Sequence, residues 1–122
     1  MANLFRLAAI AEAATGVALF AVPAVVARLL LGTELTGVAV VVARVAGIAV
    51  FSLGIACWPS KSPTNAARCG MLTYSSLVAI LLSYLGIRGE WVGPLLWPAA
   101  TLHALLTILL VRGSQRPQTG NP

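Results

Sequence analysis

The sequence predicts an all-α protein, namely an integral-membrane bundle of four helices joined by short loops. Its composition, its apolar runs and the placement of its charges all predict this class. Of the 122 residues, 59% are hydrophobic and 9% are charged, and the mean hydropathy is +0.93. Soluble proteins average about 25% charged residues. The chain contains four apolar runs, each close to the roughly 20 residues that a helix needs to cross the hydrocarbon core, and its length favours a single domain.

The first predicted helix covers residues 4–22 and continues as an extension to residue 31. Pro23 removes a backbone donor and is expected to kink or end the first part, while Gly32 is a candidate C-cap. The start of the chain resembles a secretory signal, but the apolar region is longer than the usual signal core of about 7–15 residues and contains Glu12. An uncleaved first helix is therefore the favoured interpretation.

The remaining helices are predicted at residues 37–58, 66–87 and 94–112, which makes 1–112 one transmembrane domain. Residues 113–122 are polar and lack an apolar period, so a disordered C-terminal tail is expected.

Four crossings place both termini and the loop after the second helix on one side of the membrane. That side carries five basic residues: Arg6, Lys61, Arg68, Arg112 and Arg116. The opposite side carries Arg28 and Arg88, accompanied by Glu34 and Glu90. The positive-inside bias then predicts an N-in, C-in protein, with both termini on the cytoplasmic side of its membrane. No basic stripe with interleaved aromatic residues is present, so no nucleic-acid partner is expected.

One charged residue interrupts the second apolar run near its middle. Arg44 would cost from about 2.5 to more than 10 kcal/mol at the centre of a bilayer, depending on snorkelling and water access. A neutralising partner is therefore expected, and Glu12 is the only acid inside another apolar run. The central hypothesis from the sequence is that Glu12 and Arg44 form an intramembrane ion pair.

Two further polar side chains are expected at the depth of Glu12. A rise of about 1.5 Å per residue places Glu12 and His103 each about 13 Å from the cytoplasmic edge, Tyr74 about 12 Å and Arg44 about 21 Å. The sequence thus predicts a buried polar core of Glu12, Arg44, Tyr74 and His103. Such a core either fixes helix packing or serves as a ligand or proton site, and both interpretations stay open.

Sequence motifs for catalysis, phosphate binding or metal binding are absent. The chain has no H-E-x-x-H, no phosphate-binding glycine loop and no G-x-S-x-G. Cys57 and Cys69 form no metal or redox spacing. His103, the only histidine, could supply one axial haem ligand or hydrogen-bond a quinone. We expect no catalytic residues, no metal and no resident cofactor, and hence no enzyme.

Small residues at intervals of four favour close helix contact and self-association. They fall into two stripes: Ala8, Glu12 and Gly16, and Ala39, Ala43 and Gly47.

Several motifs together resemble small four-helix bacterial inner-membrane proteins of a loosely DoxX-like kind. They are Gly16, Pro23, Leu31-Gly32, Ala43-Arg44-Val-Ala-Gly47, Gly54 and Trp97-Pro98 with His103. The resemblance implies a four-helix bundle in a bacterial cytoplasmic membrane. Some such proteins are linked to quinone-coupled thiol or sulfur oxidation, but no catalytic residue transfers to this chain.

Glu12 within an apolar first helix is similar to the essential glutamate of the small multidrug resistance transporters, which are short, four-helix and dimeric. The third helix departs from that family, because it carries Tyr74-Ser-Ser76 and no tryptophan. Arg44 departs as well, since a neighbouring arginine would hold the glutamate in its charged form and oppose proton exchange.

The sequence therefore favours a non-enzymatic accessory, assembly or binding subunit that self-associates or joins a larger membrane complex. Two alternatives remain open: a proton-coupled small-molecule transporter acting as a dimer, and a quinone- or haem-associated redox subunit.

Overall fold

The computed structural model describes residues 2–58 and 64–114, and every regular element within them is a helix. The helices are α1 (Ala2–Ala21), α2 (Pro23–Leu31), α3 (Val38–Ala56), α4 (Asn65–Arg88) and α5 (Leu96–Ser114). Four of them, α1, α3, α4 and α5, are long and apolar enough to cross a membrane.

The predicted extension of the first helix is a separate helix. Pro23 occupies the first position of α2, where its missing N–H leaves no intrahelical bond unmade. Gly32 ends α2 in the left-handed conformation with φ +67° and donates its N–H to the carbonyl of Arg28 at 3.0 Å. The predicted C-cap is therefore confirmed, and the described residues form five helices where four were expected.

The other helices differ from their predicted bounds by one or two residues at each end. α5 continues to Ser114, so the first two residues of the predicted tail are helical. The rest of that tail, residues 115–122, and residues 59–63 of the loop before α4 lie outside the described residues. Thr64 caps α4, because its side chain accepts a hydrogen bond from the backbone N–H of Ala67 at 3.1 Å.

α1 packs along α3 at backbone contact distance, and α4 packs along α5. Glycines on both α1 and α3 allow the close approach. A Cβ added to Gly47 would lie 2.8 Å from the carbonyl oxygen of Gly16, and one added to Gly54 would lie 2.6 Å from the N of Ala13. These contacts run antiparallel, so the protein consists of two helix pairs, α1/α3 and α4/α5.

The two pairs meet in an apolar cluster at the end of the bundle where α1 begins and α5 ends, here called the termini end. The cluster contains Phe5, Ala8, Ala9, Cys57, Met71, Leu106 and Leu110, all buried. Because it includes residues of α1, α4 and α5 and the C-cap of α3, it holds the pairs together at this end.

α2 joins the pairs at the opposite end, here called the α2 end. Gly93 donates its N–H to the carbonyl of Leu30 at 3.0 Å, and Leu95 donates to Leu29 at 2.8 Å. Carbonyls in the last turn of a helix have no intrahelical partner, so the segment before α5 provides one. A second buried cluster, Leu82, Leu96 and Ala100, packs against Leu30 and Leu31 beside these bonds.

Candidate functional site

Glu12 is buried in the middle of α1 and is the only charged residue so placed among the described residues. Only 3% of it is exposed. Helix α1 leaves the termini end with Phe5, Ala8 and Ala9 against the apolar cluster, and Glu12 follows one turn later on the same side of the helix. The carboxyl group therefore lies between the two helix pairs.

Tyr74 of α4 and His103 of α5 face Glu12 from the other pair. The Tyr74 hydroxyl faces the Glu12 carboxyl group and interacts with it. The Nδ1 atom of His103 lies 3.9 Å from Oε1 of Glu12, which is longer than a hydrogen bond. The rings of Tyr74 and His103 meet edge to face, with centroids 5.7 Å apart and planes at 78°, a favourable aromatic geometry.

The structure thus brings together three of the four residues predicted for the polar core, each from a different helix. We call Glu12, Tyr74 and His103 the polar triad. The sequence analysis predicted similar membrane depths for these three residues, and the short distances between their side chains agree with that prediction.

Polar atoms in and beside the triad are not fully paired. Oε2 of Glu12, Nδ1 of His103 and Oγ of the neighbouring Ser75 are buried and make no hydrogen bond to the described residues. An unpaired buried polar group costs about 1–3 kcal/mol. Packing alone does not account for such a cost in the two unpaired groups of the triad, which favours a site that meets a polar partner.

Arg44 does not join the triad, so the central hypothesis of a Glu12–Arg44 pair is wrong in this structure. The arginine is exposed, and the ion pairs among residues 2–58 and 64–114 do not include it. Gly54 lies against Ala9 and Ala13, which puts Glu12 at the level of Gly54. Arg44 precedes Gly54 by ten residues, or about 15 Å along the axis.

A cavity of about 440 Å³ lies between the helix pairs and receives residues from all five helices. Its wall is mainly apolar, with Leu19, Leu30, Val50 and Val78 among the lining residues. Tyr74 and His103 provide polar groups on this wall, together with Thr15 of α1. The Thr15 hydroxyl already donates to the carbonyl of Ala11 at 2.8 Å, whereas Nδ1 of His103 makes no hydrogen bond to the described residues.

Ligand sites in proteins have this composition: an apolar concave wall of about 300–1,000 Å³ with a few convergent polar groups. Glu12 is not part of the wall but lies behind Tyr74 and His103. The arrangement can orient an apolar molecule that has one hydrogen-bonding end. Among the described residues no group of three or more His, Cys, Asp or Glu side chains could hold a metal ion.

Sequence reasoning missed the cavity and the burial of Ser75. Ser75 is fully buried, whereas its neighbour Ser76 satisfies its hydroxyl by donating to the carbonyl of Leu72 at 2.7 Å. The run Tyr74-Ser-Ser76 carried a weak signal of a polar face on α4, but no pattern in the sequence distinguishes its two serines.

Comparison of the chain with protein-family models, curated proteins and solved structures gives no match in any of the three. The resemblances to DoxX-like proteins and to small multidrug resistance transporters therefore stay predictions.

Proposed function

We propose that the protein is a multi-pass membrane protein that crosses the bilayer with α1, α3, α4 and α5. The outward surface of these helices supports the proposal, because large apolar side chains are exposed on each of them. Examples are Leu7 at 66%, Val38 at 77%, Ile80 at 67% and Leu102 at 52%. A continuous apolar surface of this kind is unfavourable in water and suits lipid.

The charges favour an orientation with the termini end in the cytoplasm of a bacterial cell. Arg6, Arg68 and Arg112 belong to the termini end, whereas Arg28 and Arg88 belong to the α2 end. The α2-end arginines are paired with Glu34 at 2.8 Å and Glu90 at 3.4 Å. A reporter enzyme fused after residue 122 is expected to lie in the cytoplasm. Reporter activity on the opposite side of the membrane would show that the orientation is the reverse of the one proposed.

We further propose that the protein is a non-enzymatic binding subunit that holds a small apolar molecule between its two helix pairs. One observation supports this function above the others: two residues of the polar triad, Tyr74 and His103, line the mainly apolar cavity of about 440 Å³, and Nδ1 of His103 makes no hydrogen bond to the described residues. The ligand class that fits is a lipid-soluble molecule with one polar end, which Tyr74 and His103 would orient.

Filling the cavity tests this function. Val78→Trp puts an indole into the cavity wall, whereas Ile80→Trp puts the same indole on the 67% exposed face of the same helix. We expect organic extraction of the purified wild-type chain and of Ile80→Trp to release a bound apolar compound, detected by mass spectrometry. Val78→Trp should release much less. Equal amounts from folded Val78→Trp would contradict the proposal.

Proton-coupled transport is a second candidate function. The position of Arg44 in the structure removes the objection that the sequence raised against it. The sequence argued against transport because an arginine would hold the Glu12 carboxylate in its charged form. Arg44 lies about 15 Å away along the axis, so Glu12 is free of that partner. A transporter would move a cationic dye into liposomes in exchange for protons. Glu12→Gln should abolish that exchange, and Glu34→Gln, at an exposed acid, should not.

A further inference from the structure

Arg44 is the only charged residue of α3 and lies on its outward face. Its neighbours on that face, Val41, Val45 and Ile48, are 62%, 61% and 53% exposed. Burial of an arginine among such residues in a bilayer is costly unless an anion or water reaches it. The proposal below rests on the membrane insertion proposed above but not on the ligand cavity.

The acids of this chain do not provide that anion. The sequence contains three, and the structure describes all of them. Glu12 is 3% exposed and faces the polar triad, Glu34 pairs with Arg28 and Glu90 pairs with Arg88. A second copy of the chain has the same three acids in the same places. An anion for Arg44 must therefore come from outside the protein, unless one of these pairs breaks.

The position of Arg44 along α3 allows it to reach the membrane surface. Helix α3 has 19 residues, which corresponds to about 28 Å and so to the thickness of the hydrocarbon core. Val38, the first residue of α3, lies at the edge of the hydrocarbon core at the α2 end. Arg44 follows six residues later, about 9 Å below that edge. Side chains on a helix lean toward its N-terminus, and a long arginine side chain extends along apolar surface to place its charged end at the interface.

We propose that Arg44 is a binding site for the phosphate of a lipid headgroup in the leaflet at the α2 end. The planar guanidinium donates two parallel hydrogen bonds to phosphate oxygens, which an ammonium group cannot do. The flanking valines and Ile48 contact the acyl chains of the same lipid. The site thus selects a phospholipid, with preference for an anionic one, over a lipid without phosphate.

Titration of the purified full chain in a nonionic detergent tests the site. The probes are phosphatidylglycerol, a diacylglycerol with the same acyl chains, and inorganic phosphate, and binding is followed by native mass spectrometry. We expect phosphatidylglycerol to bind the wild type and the other two probes to bind weakly. Arg44→Gln should weaken phosphatidylglycerol binding about tenfold or more, as expected when a charge-assisted hydrogen bond is removed.

Arg112→Gln is the matched control, because it removes one exposed positive charge at the termini end and should leave the affinity unchanged. Arg44→Lys keeps the charge and should fall between wild type and Arg44→Gln, so it provides the comparison if Arg44→Gln does not fold. Equal affinity in wild type and Arg44→Gln overturns the proposal. So does tight binding of inorganic phosphate alone, or a dimer that Arg44→Gln dissociates while lipid affinity stays the same.

Alkaline carbonate extraction separates this proposal from the proposed function. A chain that carbonate releases from membranes is not inserted, and both proposals then fail together. If the chain stays in the membrane but its affinity for phosphatidylglycerol does not depend on Arg44, only the lipid site is refuted.

Discussion

The contact between α1 and α3 leads to a quantitative prediction for Gly47. A Cβ at this position would lie 2.7 Å from the N of Phe20 and 2.8 Å from the carbonyl oxygen of Gly16. The shorter distance is 0.7 Å less than the 3.4 Å at which ordinary contact begins. Both atoms belong to the backbone, so no side chain can rotate away, and Gly47→Ala must move the two helices apart.

The cost of that movement follows from the gap it opens. A separation of about 0.5–1 Å forfeits a quarter to a half of the dispersion energy of the contacts it affects, and overpacking typically costs about 1–3 kcal/mol. Alanine recovers about 1 kcal/mol through its higher helix propensity. We therefore expect Gly47→Ala to lower the free energy of unfolding by about 0–2 kcal/mol.

Gly70→Ala is the control for helix propensity. A Cβ at Gly70 of α4 would meet only Cδ1 of Leu53 at 3.8 Å, an ordinary contact. The same substitution should therefore stabilise the protein by up to about 1 kcal/mol. Unfolding of both variants by increasing sodium dodecyl sulfate in mild detergent micelles, followed by circular dichroism, measures the difference. If the two changes have the same sign, the backbone contact between α1 and α3 is not as described.

Three further predictions concern the polar triad, the docking of α2 and the start of α4. Tyr74→Phe should lower the free energy of unfolding by about 1–3 kcal/mol, because the Glu12 carboxyl group loses the polar group that faces it, and a change no larger than in a surface variant would contradict that interaction. Gly93→Ala would put a Cβ 2.6 Å from the carbonyl carbon of Leu29; detachment of α2 should accelerate its amide hydrogen exchange, and unchanged exchange would refute the docking. Thr64→Ala should cost about 0.5–2 kcal/mol through the lost cap, measured by the same unfolding titration, and no cost would mean that the cap is not formed.

The four long helices were predictable because apolar length is a property of consecutive residues. The break at Pro23 and the cap at Gly32 were also predictable, since both depend on the local chemistry of one residue. The level shared by Glu12, Tyr74 and His103 followed from helical rise alone.

The position of Arg44 was not predictable, for two physical reasons. The predicted depths of Glu12 and Arg44 count residues from Asn3 and from Trp58, which the sequence assigns to the same cytoplasmic edge of the membrane. Gly54 packs against Ala9 and Ala13 of α1. Because α1 and α3 are antiparallel, Trp58, four residues after Gly54, is level with Leu7 and not with Asn3. These two levels differ by about 6 Å along the helix axis. In addition, apart from Arg44 and Ser52, apolar residues surround α3 on every side, so no pattern of hydrophobicity shows which face packs on protein and which meets lipid.

The cavity could not be predicted because it depends on how two helix pairs meet. Its apolar wall residues are leucines, valines and alanines that are indistinguishable in sequence from those facing outward. Which of these residues line the cavity depends on how the two helix pairs are held together. They are held by the apolar cluster at the termini end and by α2 at the α2 end, and both involve contacts between residues far apart in the chain.

The proposed binding function depends most on the position of the polar triad between the two helix pairs in a bilayer. Solid-state NMR of the labelled protein in lipid bilayers measures this directly, because His103 is the only histidine and its ring signals are unambiguous. Tyr84→Phe leaves Tyr74 as the only tyrosine. The account predicts magnetisation transfer from the His103 ring to the Tyr74 ring and to the carboxyl carbon of Glu12. Transfer from the His103 ring to lipid acyl chains alone would contradict it.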